Sequence, residues 1–145
     1  MTTTPAVWVL RCDGGSRGNP GPGAYGFVIT DPQGQEREAR GEPLGVVTNN
    51  VAEYRSLIAG LEAAARLGAQ PLEVRMDSEL VIRQMTGQYR VKNEGLKPLH
   101  AEARRAAAKL GSVTFDSVRR EHNARADQLV NDALDRAQGR SESPR

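Results

Sequence analysis

The 145 residues suit one compact domain with a core of its own. Apolar residues make up 38% and charged residues 26%, which excludes a disordered chain, and no apolar run approaches the ~20 residues of a membrane-spanning helix. The net charge of +2, from 20 basic and 18 acidic residues, is too small to mark a nucleic-acid binder by its total, so the distribution of charge says more.

Residues 1–5 hold no basic segment followed by an apolar stretch, so they do not read as a secretory signal. The lone cysteine, Cys12, cannot form an internal disulfide, and the expected compartment is the cytoplasm. Residues 7–12 are apolar, aromatic and β-branched, and predict a strand ending at Asp13-Gly14-Gly15, a turn signal. Residues 16–23 (SRGNPGPG) read as a loop, 24–30 as a second strand, 31–34 as a hairpin turn and 35–41 as a polar third strand.

The clearest helix spans residues 50–68, with Tyr54, Leu57, Ile58, Leu61 and Ala65 at helical spacing, Thr48 or Asn49 as cap and Gly68 as stop. Residues 71–76 alternate as a strand, and Asp77-Ser78 caps a short helix over 79–85. A polar connection covers 86–95. An Ala-rich helix over 96–110 ends at Gly111, and 112–119 predict a strand. The last helix spans 125–137, with Leu129, Val130, Ala133, Leu134 and Ala137 inward. The expected domain is single, 1–145, with a core over about 7–138 and a polar tail at 139–145.

Three strands in a meander followed by alternating helix and strand predict an α/β fold, a mixed sheet covered by helices. The first and fourth strands should be parallel neighbours through a right-handed crossover. Ligands in such sheets sit at the carboxyl ends of the strands. Asp13 and Asp77 are both expected there.

Each candidate acid also has an ordinary reading. Asp13 before two glycines is a turn residue, although the same glycines let a phosphate backbone approach closely. No Gly-Lys-Ser/Thr follows, so this is not a P-loop. Glu53 and Asp127 are first-turn acids favoured by the helix dipole, and Asp77 is a helix cap. Glu53 borders the apolar stripe and is expected near the sheet. Glu62, about 180° around the helix, is expected in solvent. Asn49 and Asn50 can cap the helix or read sugar hydroxyls. Carboxylates gathered at one sheet end raise one another's pKa unless cations neutralise them, and an all-oxygen site suits Mg²⁺. Cys12 reads as a small buried strand residue, Trp8 as sheet packing, and His100, Arg104 and Arg105 as surface.

In order along the chain, CDGGSRGNPGPGAYG, TNNVAEY, MDSEL and REHNARADQLVNDAL resemble the type 1 ribonuclease H family, over about residues 7 to 138. The resemblance implies a ribonuclease H-like fold, a five-stranded mixed β-sheet flanked by α-helices. It implies hydrolysis of the RNA strand of RNA–DNA hybrids without sequence preference, leaving 5′-phosphate and 3′-hydroxyl ends. It further implies two Mg²⁺ ions, with Mn²⁺ as a substitute, held by Asp13, Glu53, Asp77 and Asp127, in a monomer that needs no membrane. Asn19, Asn49 and Asn50 look like contacts to the RNA strand, whose 2′-hydroxyl distinguishes it from DNA. Thr48 and Asn93 look like parts of a pocket for a DNA-strand phosphate. Two departures stand out. The long basic insertion that many members carry before the segment matching Lys92-Asn93 is missing. The loop before Asp127 is short, leaving Arg120 or His122 where many members have a mobile histidine.

Overall fold

The computed structural model describes residues 6–139. The segment 1–5 and the expected tail beyond Gly139 lie outside the described residues. A five-stranded sheet carries the order β3-β2-β1-β4-β5. Its strands are β1 (Trp8–Ser16), β2 (Gly21–Thr30), β3 (Glu36–Val47), β4 (Leu72–Met76) and β5 (Val113–Ser117). The helices are α1 (Asn49–Leu67), α2 (Glu79–Met85), α3 (Lys97–Ala108) and α4 (Ala124–Ala137), with a 3-10 turn at Arg120–His122. β1, β2 and β3 form the antiparallel meander, and β1 and β4 run parallel, as expected. β5 adds to β4 in parallel. Among the described residues no helix is long and apolar enough to cross a membrane.

One strand end differs from the sequence expectation in a way that matters. β1 does not stop before Asp13. Asp13, Gly14 and Gly15 continue the ladder against Gly26, Tyr25 and Ala24, because β2 begins at Gly21 and supplies partners throughout. The pairing that does stop is the parallel one, at Cys12 opposite Met76. Beyond that point β1 runs on with no β4 beside it. β3 likewise outruns its expected end at Gly41 and continues to Val47, paired to the early residues of β2.

Alternation along the strands separates two faces. Leu10, Cys12, Phe27, Ile29, Leu72, Val74 and Met76 point to one, where α1 packs with Tyr54, Leu57, Ile58 and Leu61, and with Val81 and Leu99 behind it. Burial on α1 is wider than one stripe, extending to Ala52, Ser56, Gly60, Ala63 and Ala64, because the helix touches α3 as well as the sheet. Glu62 is therefore half-buried rather than fully solvated. The Thr48 side chain caps α1 by accepting from the Val51 N–H at 3.3 Å, and Gly68 ends it in the left-handed region at φ 67°. Trp8 and the buried Cys12 pack with this core. His100 is not a surface residue: half-buried, it sets its ring edge-on to Tyr54, with Nε2 3.2 Å from the Gln84 carbonyl oxygen.

α4 covers the other face, where Val130, Ala133 and Leu134 bury against Ala24. Ala137, expected inward, is exposed in the last turn, and Leu129 is half-buried. Two glycines admit the helix. A Cβ on Gly26 would lie 2.7 Å from the Ala126 carbonyl oxygen, and one on Gly41 2.5 Å from that of Leu129. Backbone cannot yield as a side-chain tip can. Gly26→Ala is therefore expected to lower stability by about 1–3 kcal/mol, the usual range for overpacking, read as a lower urea midpoint; an unchanged midpoint would show that α4 shifts freely.

Candidate active site

The end of the β1–β4 pairing places two carboxylates side by side. Asp13 follows Cys12 and Asp77 follows Met76, and Cys12 and Met76 are register partners. Of the Asp77-Ser78 pair expected to cap α2, Asp77 does not do so. Ser78 does, its Oγ accepting from the Val81 N–H at 3.3 Å, which leaves the Asp77 carboxylate available to the cleft.

Glu53 arrives from α1. The Gly14 N–H donates to Glu53 Oε1 at 2.9 Å. A Cβ on Gly14 would sit 2.2 Å from the Ala52 carbonyl oxygen, so the first turns of α1 rest directly on the β1 backbone. The Gly14 position thus serves close packing rather than a turn. Asp13, Glu53 and Asp77 each present a carboxylate oxygen, and these oxygens lie within 4.8 Å of one another. Asp127, in the first turn of α4, is not part of that tight set. It acts on the Asp13 carboxyl from the same cleft. All four acids line one cleft of about 900 Å³.

The electrostatics follow from this crowding. Burial first, then the Asp77 and Asp127 carboxyls, push the Asp13 carboxyl up to about 8, against the pull of the Gly14 N–H. Glu53 is held well above the carboxylate range by burial and by Asp13 and Asp77, opposed by the Gly14 N–H and Arg120. Burial, Glu53 and Asp13 raise the Cys12 thiol, which makes it a poor nucleophile. Oxygen donors that resist ionising together fit a hard divalent cation, whose charge removes the conflict.

The other expected residues divide. Asn49 lines the cleft, its Oδ1 accepting from the Ser16 N–H at 2.9 Å and the Ser16 hydroxyl at 3.0 Å. Asn19 Oδ1 accepts from the Asn49 N–H at 3.1 Å, tying the 17–20 loop to the start of α1. Asn50 is exposed beside them. Thr48 is engaged as the α1 cap. Asn93 shapes the approach to α3, its Oδ1 accepting from the Gly95 N–H at 2.8 Å. Asn19, Thr48, Asn50 and Asn93 do not line the cleft. Arg120 does, with Nε 3.7 Å from Asp77 Oδ2. His122 is exposed and outside the lining.

Sequence reasoning missed three residues here. Arg17 lines the cleft and pairs with Asp135 at 2.7 Å and with Gln138. Asn131 donates to Asp127 Oδ2 at 3.3 Å. Asn123 is fully buried at the start of α4. The last two stand four residues on either side of Asp127, a helical spacing that marks neighbours of one side chain.

Known proteins resemble this chain in sequence and fold. A family model described as reverse transcriptase-like matches residues 11–133. A bifunctional protein of Mycobacterium tuberculosis is 46% identical over 131 residues, which cover 89% of this chain and 36% of that protein, so the chain spans about a third of the length of such relatives. The crystal structure of RNase H1 from Halobacterium salinarum superimposes with a TM-score of 0.86 at 41% identity, over 89% of this chain and 98% of that one. LC11-RNase H1 in complex with RNA/DNA hybrid matches with a TM-score of 0.86 at 43% identity, over 90% and 99% of the two chains. With its sheet order, its acidic cleft and two RNase H1 structures matched over nearly their whole length, the chain belongs to the ribonuclease H family.

Proposed function

We propose that this chain is a single catalytic domain that hydrolyses the RNA strand of an RNA–DNA hybrid, without sequence preference, to 5′-phosphate and 3′-hydroxyl ends. The observation that carries the reading is the set of three carboxylates within 4.8 Å at the sheet end, in a family whose LC11 member was solved with RNA/DNA hybrid. Asp13, Glu53 and Asp77, with Asp127 beside Asp13, would hold two Mg²⁺ ions, or Mn²⁺ in their place. Bound there, the metal supplies an acidified water and charge stabilisation for the leaving oxygen.

The chain's own groups do the rest. Asn49 has its carboxamide oxygen occupied by Ser16, which leaves its NH₂ to donate to the RNA strand. Asn19 and the exposed Asn50 stand on the same rim, where a ribose 2′-hydroxyl can be read. Thr48 and Asn93 contact the DNA strand through a phosphate, fixing register without reading bases. Of the two auxiliary candidates, Arg120 is favoured over His122. It lines the cleft next to Asp77, where its guanidinium can steady a phosphate. The proposed enzyme acts as a monomer in the cytoplasm, where the free, buried Cys12 needs no partner.

The test is cleavage of end-labelled RNA–DNA hybrid, double-stranded RNA and branched DNA with Mg²⁺ and with chelator. Metal-dependent cutting confined to the RNA of the hybrid, with 5′-phosphate products, is expected. Binding without turnover would leave a silent hybrid-binding module. Faster cutting of branched DNA or double-stranded RNA would overturn the substrate assignment.

A further inference from the structure

Asparagine is favoured at helix N-caps because its side-chain oxygen accepts from the N–H groups of the first turn. Asn123 occupies the N-cap of α4, yet its side chain makes no capping bond. It is fully buried, and its Nδ2 donates instead to the Cys12 carbonyl oxygen at 2.8 Å, across 111 residues of sequence. Cys12 is the residue before Asp13. The Asn123 carbonyl accepts the N–H of Asp127 at 3.1 Å, and its own N–H donates to the Arg120 carbonyl oxygen at 2.9 Å. Three polar groups of one residue thus join β1 beside Asp13, the helix turn bearing Asp127 and the 3-10 turn bearing Arg120.

The fourth group gives the second observation. Asn123 Oδ1 is buried with no hydrogen-bond partner among the described residues. An unpaired buried oxygen is destabilising, whereas an apolar side chain of similar volume avoids the penalty. The unpaired oxygen offsets what the Nδ2 bond to Cys12 contributes to stability, so stability is a poor account of an amide here. Delivery of the Nδ2 donor to β1 accounts for it.

We propose that Asn123 is a positioning residue. It gives up the local cap to lock the start of α4 against β1, and so sets Asp127 against Asp13. The proposal rests on the hybrid-cleaving reading of the site. It acts through Asp127, not on the substrate, so its signature is a loss in turnover that depends on Asp127 being present.

The experiment compares wild type, Asn123→Ala, Asn123→Leu, Asp127→Asn and the double variant Asn123→Ala/Asp127→Asn on RNA–DNA hybrid with Mg²⁺. Thermal melts confirm that each variant is folded. Asn123→Ala is expected to lower kcat by about 10–100-fold, the scale of a ~1 Å misplacement of a catalytic group, with KM within about 3-fold of wild type. Asn123→Leu, which keeps the branching at Cγ and lacks the donor, is expected to lose as much. In the Asp127→Asn background the further loss should fall below about 3-fold, because residues acting as a unit are not additive. Full multiplicative loss in the double variant, or wild-type turnover in Asn123→Leu, overturns the proposal. A readout independent of activity is hydrogen exchange at the Asp127 amide, expected to quicken in Asn123→Ala while the β1–β4 ladder stays protected. If wild type cuts no hybrid, the functional reading fails, and unchanged Asp127 exchange would by itself overturn the positioning role.

Discussion

Asp77→Asn is expected to lower hybrid cleavage by at least ~10³-fold while leaving hybrid affinity within a few-fold of wild type. Asparagine matches aspartate in shape, so the fold should survive, and Ser78 rather than Asp77 caps α2. What is lost is one negative oxygen from a set of three within 4.8 Å. Removing a single preorganised electrostatic group at a reacting centre costs ~10²–10³ in turnover, and loss of one of the proposed metal ligands should reach or exceed that range. Affinity should hold, because a carboxylate near a phosphate backbone repels it, and removing the charge does not weaken phosphate contacts made elsewhere. Single-turnover cleavage with Mg²⁺ and fluorescence anisotropy on the same hybrid measure the two quantities. Turnover within about 10-fold of wild type would remove Asp77 from the site, and parallel loss of binding would make it a substrate contact.

The second large effect concerns stability without metal. Asp13 keeps its proton in the fold up to about 8, chiefly because of burial and the Asp77 charge, whereas in the unfolded chain it ionises near ~4. Between those values the native state binds more protons than the unfolded state, so stability falls as pH rises. Below ~4 the group is protonated in both states and contributes nothing. Above about 8 the full penalty is present. Each pKa unit corresponds to about 1.4 kcal/mol, so the Asp13 displacement sets an upper bound of several kcal/mol, and Glu53 is displaced in the same direction.

In chelator, the melting temperature of wild type should therefore drop between pH 5.5 and 8.5. Asp13→Asn should melt higher than wild type at pH 8.5, on the order of 5–10 °C, and the gap should close toward pH 5. Mg²⁺ should restore wild type, because a ligand that binds only the folded state stabilises it, and should do little for the variant. Differential scanning calorimetry at matched ionic strength reads all of this. A variant less stable than wild type at pH 8.5 in chelator would show that the carboxylates are not in conflict. The expected trade is direct: Asp13→Asn gains metal-free stability and loses cleavage.

Much of the fold is local and was legible as pattern. α1 shows its 3.6-residue period and its terminal Gly68 in the chain itself. β4 and α2 follow from alternation and from the cap signal at Asp77-Ser78, although the choice between those two caps needed backbone geometry. The end of β1 was not legible. Gly14 and Gly15 read as a turn because glycine has weak strand preference, and their place in the ladder comes from β2, a partner that local pattern does not specify. His100 and Ala137 were misplaced for a related reason: exposure depends on what packs nearby, here Tyr54 and Gln84 in one case and open solvent in the other.

The four acids show the same division. Types and order along the chain come from the sequence, as do the β4 end before Asp77 and the helix start near Glu53. Their meeting does not. Asp127 reaches Asp13 because α4 lies on the glycines of β2 and β3 and because Asn123 bonds to β1. The displaced ionisation of Asp13 and Glu53, and the burial of the Asn123 amide, exist through packing and through-space charge. These are properties of which groups the folded chain brings within a few ångströms, and residue order alone does not contain them.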